Sequence, residues 1–409
     1  MKVLMMCRGS QGDVYPHFAL AKKLTERGHD VMLNVTAQFE EIARKSGIPY
    51  TVTPDKGLDE LMKQSDVNLN TALKYLGQII SRQFEYFVPM ISGYDMLVAG
   101  NAEFAAPHIA EYGRKKIIRV SFAPVLPTGK FMPPLTPLVK PFLFLTIPLM
   151  WKLTNTAISL PVIRQINFHR KKFGMAPIKN QGEYAHANSF NLLMYSELLG
   201  EVDEEWNYRW DVSGYCFYDL LPYKEDLYRD FVDFIKKDEK PVLFFTVGST
   251  NVARQQEIAD WLLTICRKYG YKLIVGCNWR KTAENLEQHE DLFILDGIIP
   301  HNLVMPHCTA MIHHGGSGTT HSAARAGKPQ MICSAFVDQP YWASRVKALG
   351  LGPGPVNTKK VSFEKLEKKS VDLMTNSAYK KNAAELGEKF HTENSLDKAA
   401  DTIEKVFAG

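Results

Sequence analysis

Short apolar runs alternate with segments of helical periodicity along most of the chain. In the first half the predicted strands are residues 2–7, 30–36, 95–100, 116–122 and 189–195. In the second half they are residues 242–247, 272–276, 293–295, 310–313 and 330–333. Val14, Phe18 and Ala21 mark one face of a helix between the first two runs. Continuous apolar runs separated by helices are typical of an α/β protein with parallel sheets covered on both faces.

The strand series is interrupted once, between residues 216 and 240, where charged residues accumulate and the alternation is lost. A chain of 409 residues also exceeds the length that one core usually organises. We therefore predict two domains, 1–215 and 241–385, joined by a linker at 216–240. Ala399, Ile403 and Val406 give the last segment one apolar face, and we predict a C-terminal helix at 386–409.

The segment 310–320 ends a buried run with two histidines, three glycines and two threonines, and a helical pattern starts at Ser322. A glycine turn that opens a helix leaves backbone N–H groups without partners, and the helix dipole favours an anion there. A histidine adds a donor that glycine lacks. The turn is therefore predicted to bind phosphate. The alternative is a tight strand-to-helix connection with His313 or His314 packed in the core.

Charge and cysteine usage narrow the class of protein. The net charge is +5, but the Lys and Arg residues are scattered, which does not indicate a nucleic-acid partner. The six cysteines are widely spaced, without a C-x-x-C pair, as expected in a reducing compartment. The first apolar run is too short for a secretion signal. These features predict a cytoplasmic protein.

Residues 131–151 form an unusually apolar stretch, interrupted by five prolines and Lys140. Prolines remove backbone donors, so an unbroken bilayer helix is not expected. Three interpretations stay open: a buried irregular excursion, a lid over an apolar acceptor, or a patch within 131–172 that makes peripheral contact with a membrane. In the last, Arg164, Arg170, Lys171 and Lys172 would meet anionic head groups.

Three segments of the second half resemble the donor-binding signature of family 1 glycosyltransferases. They are His314-Gly315-Gly316-Ser317-Gly318-Thr319-Thr320, Arg325-Ala326-Gly327-Lys328-Pro329 and Asp338-Gln339-Pro340-Tyr341-Trp342-Ala343. Gly9-Ser10-Gln11-Gly12-Asp13-Val14-Tyr15-Pro16 resembles the amino-terminal motif, and residues 350–356 resemble the sterol and antibiotic-aglycone branch. The resemblance implies the GT-B fold: two Rossmann-like parallel-sheet domains facing across a cleft, the first for the acceptor and the second for a nucleotide sugar. It also implies that the C-terminal helix packs back on the first domain.

The resemblance also implies donor-binding residues. The diphosphate would be bound without a metal ion, by His314 and by the amides of Gly316, Gly318, Thr319 and Thr320. Gly315 and Ser317 belong to the same turn. Asp338 and Gln339 would contact sugar hydroxyls. Gly12 belongs to the first glycine turn, and Gly248, Ser249 and Thr250 would contact phosphate or sugar. Ile299 and His301 would recognise the base through main-chain contacts, with Trp279 a conceivable stacking residue. The chain has no Asp-x-Asp pair of the kind that holds a divalent ion.

For the catalytic base, Asp13 occupies the place that the sterol and antibiotic branch fills with aspartate. A carboxylate would accept the proton late, in concert with attack, helped by burial that raises its pKa. The alternative is that Asp13 is the N-cap of the first helix. His17, one turn further on, is a second candidate for the base, or an ordinary helix residue.

The sequence thus predicts an inverting, metal-independent glycosyltransferase that moves a hexose, foremost glucose from UDP-glucose, to a lipophilic acceptor such as a sterol or other terpenoid. No cofactor is expected besides this co-substrate. A polyketide, flavonoid or glycolipid acceptor with a UDP- or TDP-sugar stays open. So does a catalytically silent protein that binds a nucleotide sugar or lipid. The first turn, Gly9-Ser10-Gln11-Gly12, lacks the G-x-G-x-x-G pattern of a dinucleotide oxidoreductase.

Overall fold

A computed structural model describes residues 1–53, 69–134, 147–248, 254–277, 289–334 and 338–409. The chain divides into two compact units. The first comprises Met1–Glu197, Glu201–Tyr218 and Asn394–Gly409, and the second comprises Leu198–Gly200 and Asp219–Glu393. Each unit contains one parallel sheet with helices, which confirms the predicted fold class.

The first unit is built on seven parallel strands in the order β3-β2-β1-β4-β5-β6-β7. The strands are β1 (Lys2–Met6), β2 (Asp30–Thr36), β3 (Tyr50–Thr53), β4 (Met96–Gly100), β5 (Lys116–Ser121), β6 (Phe190–Leu193) and β7 (Trp210–Val212). The helices between them are α1 (Gln11–Glu26), α2 (Glu40–Ser46), α3 (Leu69–Phe87), α4 (Ala106–Gly113), α5 (Ile147–Ser159), α6 (Ile163–Lys172) and α7 (Gln181–Ala187). The strand order changes direction at β1 and β4, and the carboxyl end of such a pair is where open α/β sheets bind ligands.

The second unit is built on five parallel strands in the order β10-β9-β8-β11-β12. They are β8 (Val242–Thr246), β9 (Lys272–Cys277), β10 (Leu292–Asp296), β11 (Ala310–His313) and β12 (Gln330–Ile332). The helices are α8 (Glu225–Lys236), α9 (Gln255–Tyr269), α10 (His301–Val304), α11 (Ser317–Arg325), α12 (Gln339–Ala348), α13 (Phe363–Thr375) and α14 (Ser377–Phe390). Successive residues of β8 enter different cores, with Leu243 and Phe245 on one face and Phe244 on the other. Burial on both faces explains why the strand is apolar throughout.

The last helix, α15 (Ser395–Ala408), belongs to the first unit. The guanidinium of Arg27, at the end of α1, lies 2.6 Å from a carboxylate oxygen of Asp397 and 2.6 Å from one of Asp401. The hydroxyl of Thr402 donates a hydrogen bond to the carboxylate of Asp211 in β7. The C-terminal helix therefore packs on the first domain, as predicted.

The segment predicted to be a linker, 216–240, contains a helix. In α8, Leu227, Phe231 and Phe234 recur at helical spacing, and Phe231 is fully buried in the core that also holds Phe244. The charged residues on the exposed face of α8 obscured this stripe in the sequence.

The apolar stretch 131–151 ends in the first residues of a helix. Residues 135–146, including Lys140, lie outside the described part of the chain, and α5 begins at Ile147. No helix among the described residues has the length and hydropathy needed to cross a bilayer. Arg170, which would meet head groups in the membrane interpretation, is instead only 2% exposed and pairs with Glu111. Its Nε also donates to the carbonyl of Ala176.

Candidate active site

The glycine turn follows β11, a strand flanked by β8 and β12. Gly315 has a φ of +91°, and Gly316 is the N-cap of α11. The first helical bond runs from the Thr320 N–H to the Gly316 carbonyl. The amides of Ser317, Gly318 and Thr319 precede that bond, so the helix itself offers them no acceptor. The turn thus presents consecutive N–H groups at a helix N-terminus, as predicted for a phosphate site.

Thr320 departs from the expectation. Its amide already bonds to Gly316, and its hydroxyl donates to the same carbonyl at 2.9 Å. The side chain is fully buried. Thr320 therefore stabilises the first turn of α11, and the amides left for an anion are those before it.

His313 is a structural residue of the turn. Its Nδ1 accepts a hydrogen bond from the Gly315 N–H at 3.1 Å, so Nε2 carries the proton and donates to Gln330 Oε1 at 2.9 Å. The ring is fully buried. Both ring nitrogens form hydrogen bonds within the protein, so His313 stabilises the turn and has no N–H left to donate to a ligand.

His314 has a different environment. Its imidazole lies between Gly248 and Gly316: a Cβ at Gly248 would stand 2.6 Å from Cε1, and a Cβ at Gly316 would stand 2.5 Å from Nε2. Only glycine leaves space for the ring at these positions. Nδ1 is buried and has no hydrogen-bond partner among the described residues. Burial, with smaller contributions from His313 and His301, lowers the pKa of His314 to about 3, so the ring is neutral near pH 7.

Asp338 and Gln339 lie at the start of α12, next to the turn. Asp338 is the N-cap, and its Oδ2 accepts a hydrogen bond from Trp342 Nε1 at 2.9 Å. Because Trp342 is fully buried, this hydrogen bond holds the Asp338 carboxylate in one position. Gln339 is 3% exposed, and its carbonyl oxygen would lie 3.4 Å from a Cβ at Gly315. The structure therefore brings both predicted sugar-contacting residues close to the glycine turn.

The remaining predicted donor residues divide into two groups. Ile299 is buried in the core with Phe244 and Met305, which leaves its main chain for any ligand contact. His301 begins α10, and burial lowers its pKa to about 4. Ser249, Thr250 and Trp279 lie outside the described residues.

Asp13 is held at the start of α1 by a capping box. The N-cap residue is Ser10, and Asp13, three residues later, caps the helix from inside its first turn by accepting the Ser10 N–H. A capping role for Asp13 is therefore confirmed, and its role as base stays a prediction. Its Oδ2 accepts two hydrogen bonds, from the N–H and from the hydroxyl of Ser10, both at 2.8 Å. A Cβ at Gly9 would lie 2.5 Å from the same oxygen, so the close approach requires glycine. No described residue donates to the other oxygen, Oδ1. Burial raises the pKa of Asp13, opposed by the bonds from Ser10.

His17 lies one turn further along α1 and is 1% exposed. Its Nδ1 is 2.8 Å from the carbonyl oxygen of Asp13, which can only accept, so Nδ1 carries the proton. Nε2 is therefore a lone-pair acceptor, buried and without a partner among the described residues. Phe122 meets the ring edge to face, at 5.9 Å between centroids. Burial lowers the pKa of His17 to about 4.

Gly12 contributes its carbonyl group to an interaction that the sequence analysis missed. Pro16 lies inside α1 and has no N–H to bond the carbonyl four residues earlier. The hydroxyl of Tyr215 supplies a donor instead, 3.3 Å from the Gly12 oxygen. The helix thus continues through its proline next to Asp13.

Two other supporting residues were missed. Ser10 could have been found from the sequence, because Ser-x-x-Asp ahead of an apolar run is a capping-box pattern. Gln330 carried no such signal, because its role depends on the pairing of β12 with β11. The second unit thus holds helix amides, a neutral imidazole and two sugar-binding candidates. The first unit separately holds a carboxylate with a raised pKa.

Comparison with known proteins identifies relatives for both units. Residues 3–110 match the glycosyltransferase family 28 N-terminal domain, and residues 274–405 match the erythromycin biosynthesis protein CIII-like C-terminal domain. Two sterol 3-beta-glucosyltransferases of Arabidopsis thaliana are 26% and 27% identical over 97% and 99% of the chain. The chain covers 64% and 68% of their lengths.

Proteins of antibiotic biosynthesis are similar over their whole length. The O-mycaminosyltylonolide 6-deoxyallosyltransferase of Streptomyces fradiae is 25% identical, with 99% of this chain and 97% of that protein covered. Among solved structures, the glycosyltransferase of kitacinnamycin superimposes with a TM-score of 0.74 at 16% identity, covering 99% of both chains. The glycosyltransferase VinC, solved in complex with dTDP, has a TM-score of 0.67 and covers 100% of both chains. At these identities the structural matches establish the fold.

Proposed function

This chain belongs to the family 1 glycosyltransferases of the GT-B type, and we propose that it transfers a hexose to a hydroxyl group of a lipophilic acceptor. The proposed donor is UDP-glucose and the proposed acceptor a sterol or another terpenoid. The reaction proceeds by a single displacement, with inversion at the anomeric carbon and without a metal ion.

One observation carries the proposal: the imidazole of His314 is held between Gly248 and Gly316 beside the N-terminus of α11, and its buried Nδ1 has no partner in the part of the chain that the structure describes. A buried polar atom without a hydrogen bond is costly. A diphosphate oxygen would supply the missing partner and would also accept from the amides of Ser317, Gly318 and Thr319. These donors are fixed before the ligand arrives.

The chemistry follows from where charge develops. The acceptor oxygen forms a bond to the anomeric carbon while the bond from that carbon to the diphosphate oxygen breaks, so the leaving diphosphate gains negative charge. Preorganised donors stabilise this charge more in the transition state than in the ground state. Asp338 and Gln339 would hold the sugar hydroxyls next to the turn.

Asp13 is the proposed base. Its Oδ1 accepts the hydroxyl proton as the acceptor attacks, and the raised pKa makes it a better acceptor than an ordinary aspartate. His17 is the rival, but burial lowers its pKa to about 4, well below that of an ordinary imidazole. The Asp13 carbonyl orients the His17 ring, so we assign His17 a positioning role.

The test is turnover across a panel of donors and acceptors. UDP-glucose, UDP-N-acetylglucosamine and TDP-glucose are each incubated with a sterol, a macrolide aglycone and a flavonoid, and the release of nucleoside diphosphate and the product masses are measured. The proposal expects release that depends on both UDP-glucose and the sterol, and a β-linked product by NMR. An α-linked product would refute inversion, and no release with any pair, with UDP still bound, would indicate a silent binding protein.

A second candidate is transfer from a TDP-sugar to an antibiotic aglycone. The full-length similarity to the Streptomyces fradiae enzyme and the fold shared with VinC favour it. Preference for TDP-glucose and the macrolide aglycone in the same panel would establish this alternative.

A further inference from the structure

Residues 112–182 carry a strong excess of positive charge. The segment contains twelve Lys and Arg residues and no Asp or Glu. Since the whole chain has a net charge of +5, the remainder carries 5 − 12 = −7. The charge is therefore concentrated in one part of the first unit, and α5 and α6 lie within it.

The exposed face of α5 is apolar. The helix buries Ile147, Trp151, Asn155 and Ser159, which recur every four residues. On its other side Leu149 and Leu153 are each 53% exposed, and Leu160, directly after the helix, is 69% exposed. In α6, Phe168 is 62% exposed. Four of the nine large apolar side chains that are exposed in the described part of the chain thus fall within 20 residues.

Exposed cations accompany these apolar side chains. Lys152 lies on α5, and Arg164, Lys171 and Lys172 recur with Phe168 on the exposed face of α6. Leu160 and Arg164 line the same depression beside α3, where Glu85 is the acidic neighbour. We call Leu149, Lys152, Leu153, Leu160, Arg164, Phe168, Lys171 and Lys172 the α5–α6 surface.

We propose that the α5–α6 surface docks on an anionic lipid bilayer. Leucine and phenylalanine would enter the acyl boundary while lysine and arginine pair with head-group phosphates, the arrangement used by interfacial helices. A second copy of the chain is a poor occupant, because a symmetric contact would bring the same cations together. Docking would bring the protein to the phase in which a sterol dissolves, and that consequence alone rests on the proposed function.

Vesicle co-sedimentation tests the docking without substrates. The protein is mixed with vesicles of phosphatidylcholine alone, and with vesicles in which phosphatidylglycerol replaces part of it. Binding is expected to the anionic vesicles and to weaken as salt rises. The Leu149→Ser/Leu153→Ser variant should lower the partition coefficient by about tenfold per leucine. The Lys171→Gln/Lys172→Gln variant should lower it by about fivefold per lysine, on anionic vesicles only.

Matched controls come from exposed residues of the second unit. Leu220→Ser and Lys359→Gln/Lys360→Gln change similarly exposed side chains and should leave binding unchanged. Thermal melting confirms that each variant is folded. The proposal is overturned if the unmodified protein stays in solution with anionic vesicles, or if the controls lose as much binding as the test variants. A dimer in light scattering that the leucine variant dissolves, without vesicle binding, would assign the surface to self-association instead.

Discussion

A methyl group added at residue 248 should disable the proposed phosphate site without disturbing the sheet. Gly248 lies two residues after β8 and has a φ of +61°. In Gly248→Ala the new Cβ would lie 2.6 Å from His314 Cε1, closer than two carbon atoms can approach. On the other side the imidazole already occupies the place that a Cβ at Gly316 would take. The ring must therefore turn out of its position.

The expected magnitude has two parts. An alanine at positive φ costs about 1 to 2 kcal/mol of folding free energy, whatever its surroundings. Loss of the imidazole donor removes a hydrogen bond to a charged group, worth about 1.5 to 3 kcal/mol, which corresponds to about tenfold to 150-fold weaker binding of UDP. The first effect acts on stability and the second on ligand affinity, so they can be separated.

Gly270→Ala is the matched control. Gly270 lies in the same unit, at the C-terminal end of α9, with a φ of +70° and no heavy atom within 4 Å of an added Cβ. Urea unfolding should show similar losses for both variants. Titration calorimetry with UDP should show weaker binding for Gly248→Ala alone.

A double-mutant cycle completes the test. In a His314→Ala background the alanine at 248 has no ring to displace, so it should weaken UDP binding no further. Equal UDP affinity for Gly248→Ala and Gly270→Ala would refute the role assigned to His314. So would a full additional loss in the double mutant.

Three other predictions concern the base, the helix that carries it and the buried histidines. Asp13→Asn keeps an oxygen that accepts from Ser10 but cannot take a proton, so acceptor-dependent turnover should fall by about 10²-fold to 10⁴-fold with UDP affinity unchanged. Tyr215→Phe removes the donor to the Gly12 carbonyl and should cost about 1 kcal/mol in urea unfolding. Thermal stability should fall as pH drops from about 6.5 toward 5, because buried histidines have folded pKa values of about 3 or 4 and the unfolded chain binds more protons in that range. These histidines are His17, His108, His186, His313, His314 and His321, and the half-buried His301 contributes in the same direction.

Each of these has its own control. The exposed Asp30→Asn should leave turnover unchanged, and retained activity in Asp13→Asn would transfer the role of base to another group. Tyr223→Phe removes a more exposed hydroxyl, and an equal cost in both tyrosine variants would contradict the contact with Gly12. A melting temperature that stays flat between pH 7 and pH 5 would contradict the burial of neutral histidines.

The sequence was informative where the determining interactions are local. The apolar run of β11, the glycines after it and the start of α11 occupy consecutive residues, so strand, turn and helix could be predicted together. The capping box of Ser10 and Asp13 is equally local and could have been recognised.

What could not be predicted depends on residues distant in sequence. His313 and His314 are neighbours, yet the ring of the first is fixed by Gln330 of another strand, and the ring of the second fills the space that Gly248 leaves beside it. Nothing in their local pattern distinguishes them. The ion pair that removes Arg170 from the surface likewise needs Glu111, 59 residues earlier in the chain.

The return of α15 to the first unit has a consequence for synthesis. The carboxylates that hold Arg27 belong to residues that emerge from the ribosome only after Asp219–Glu393, the whole main segment of the second unit. In the nascent first unit one side of α1 therefore stays uncovered until α15 is synthesised. By then the main segment of the second unit is already able to fold. Since domains generally fold as they are made, the second unit has the opportunity to reach its final structure before the first is complete.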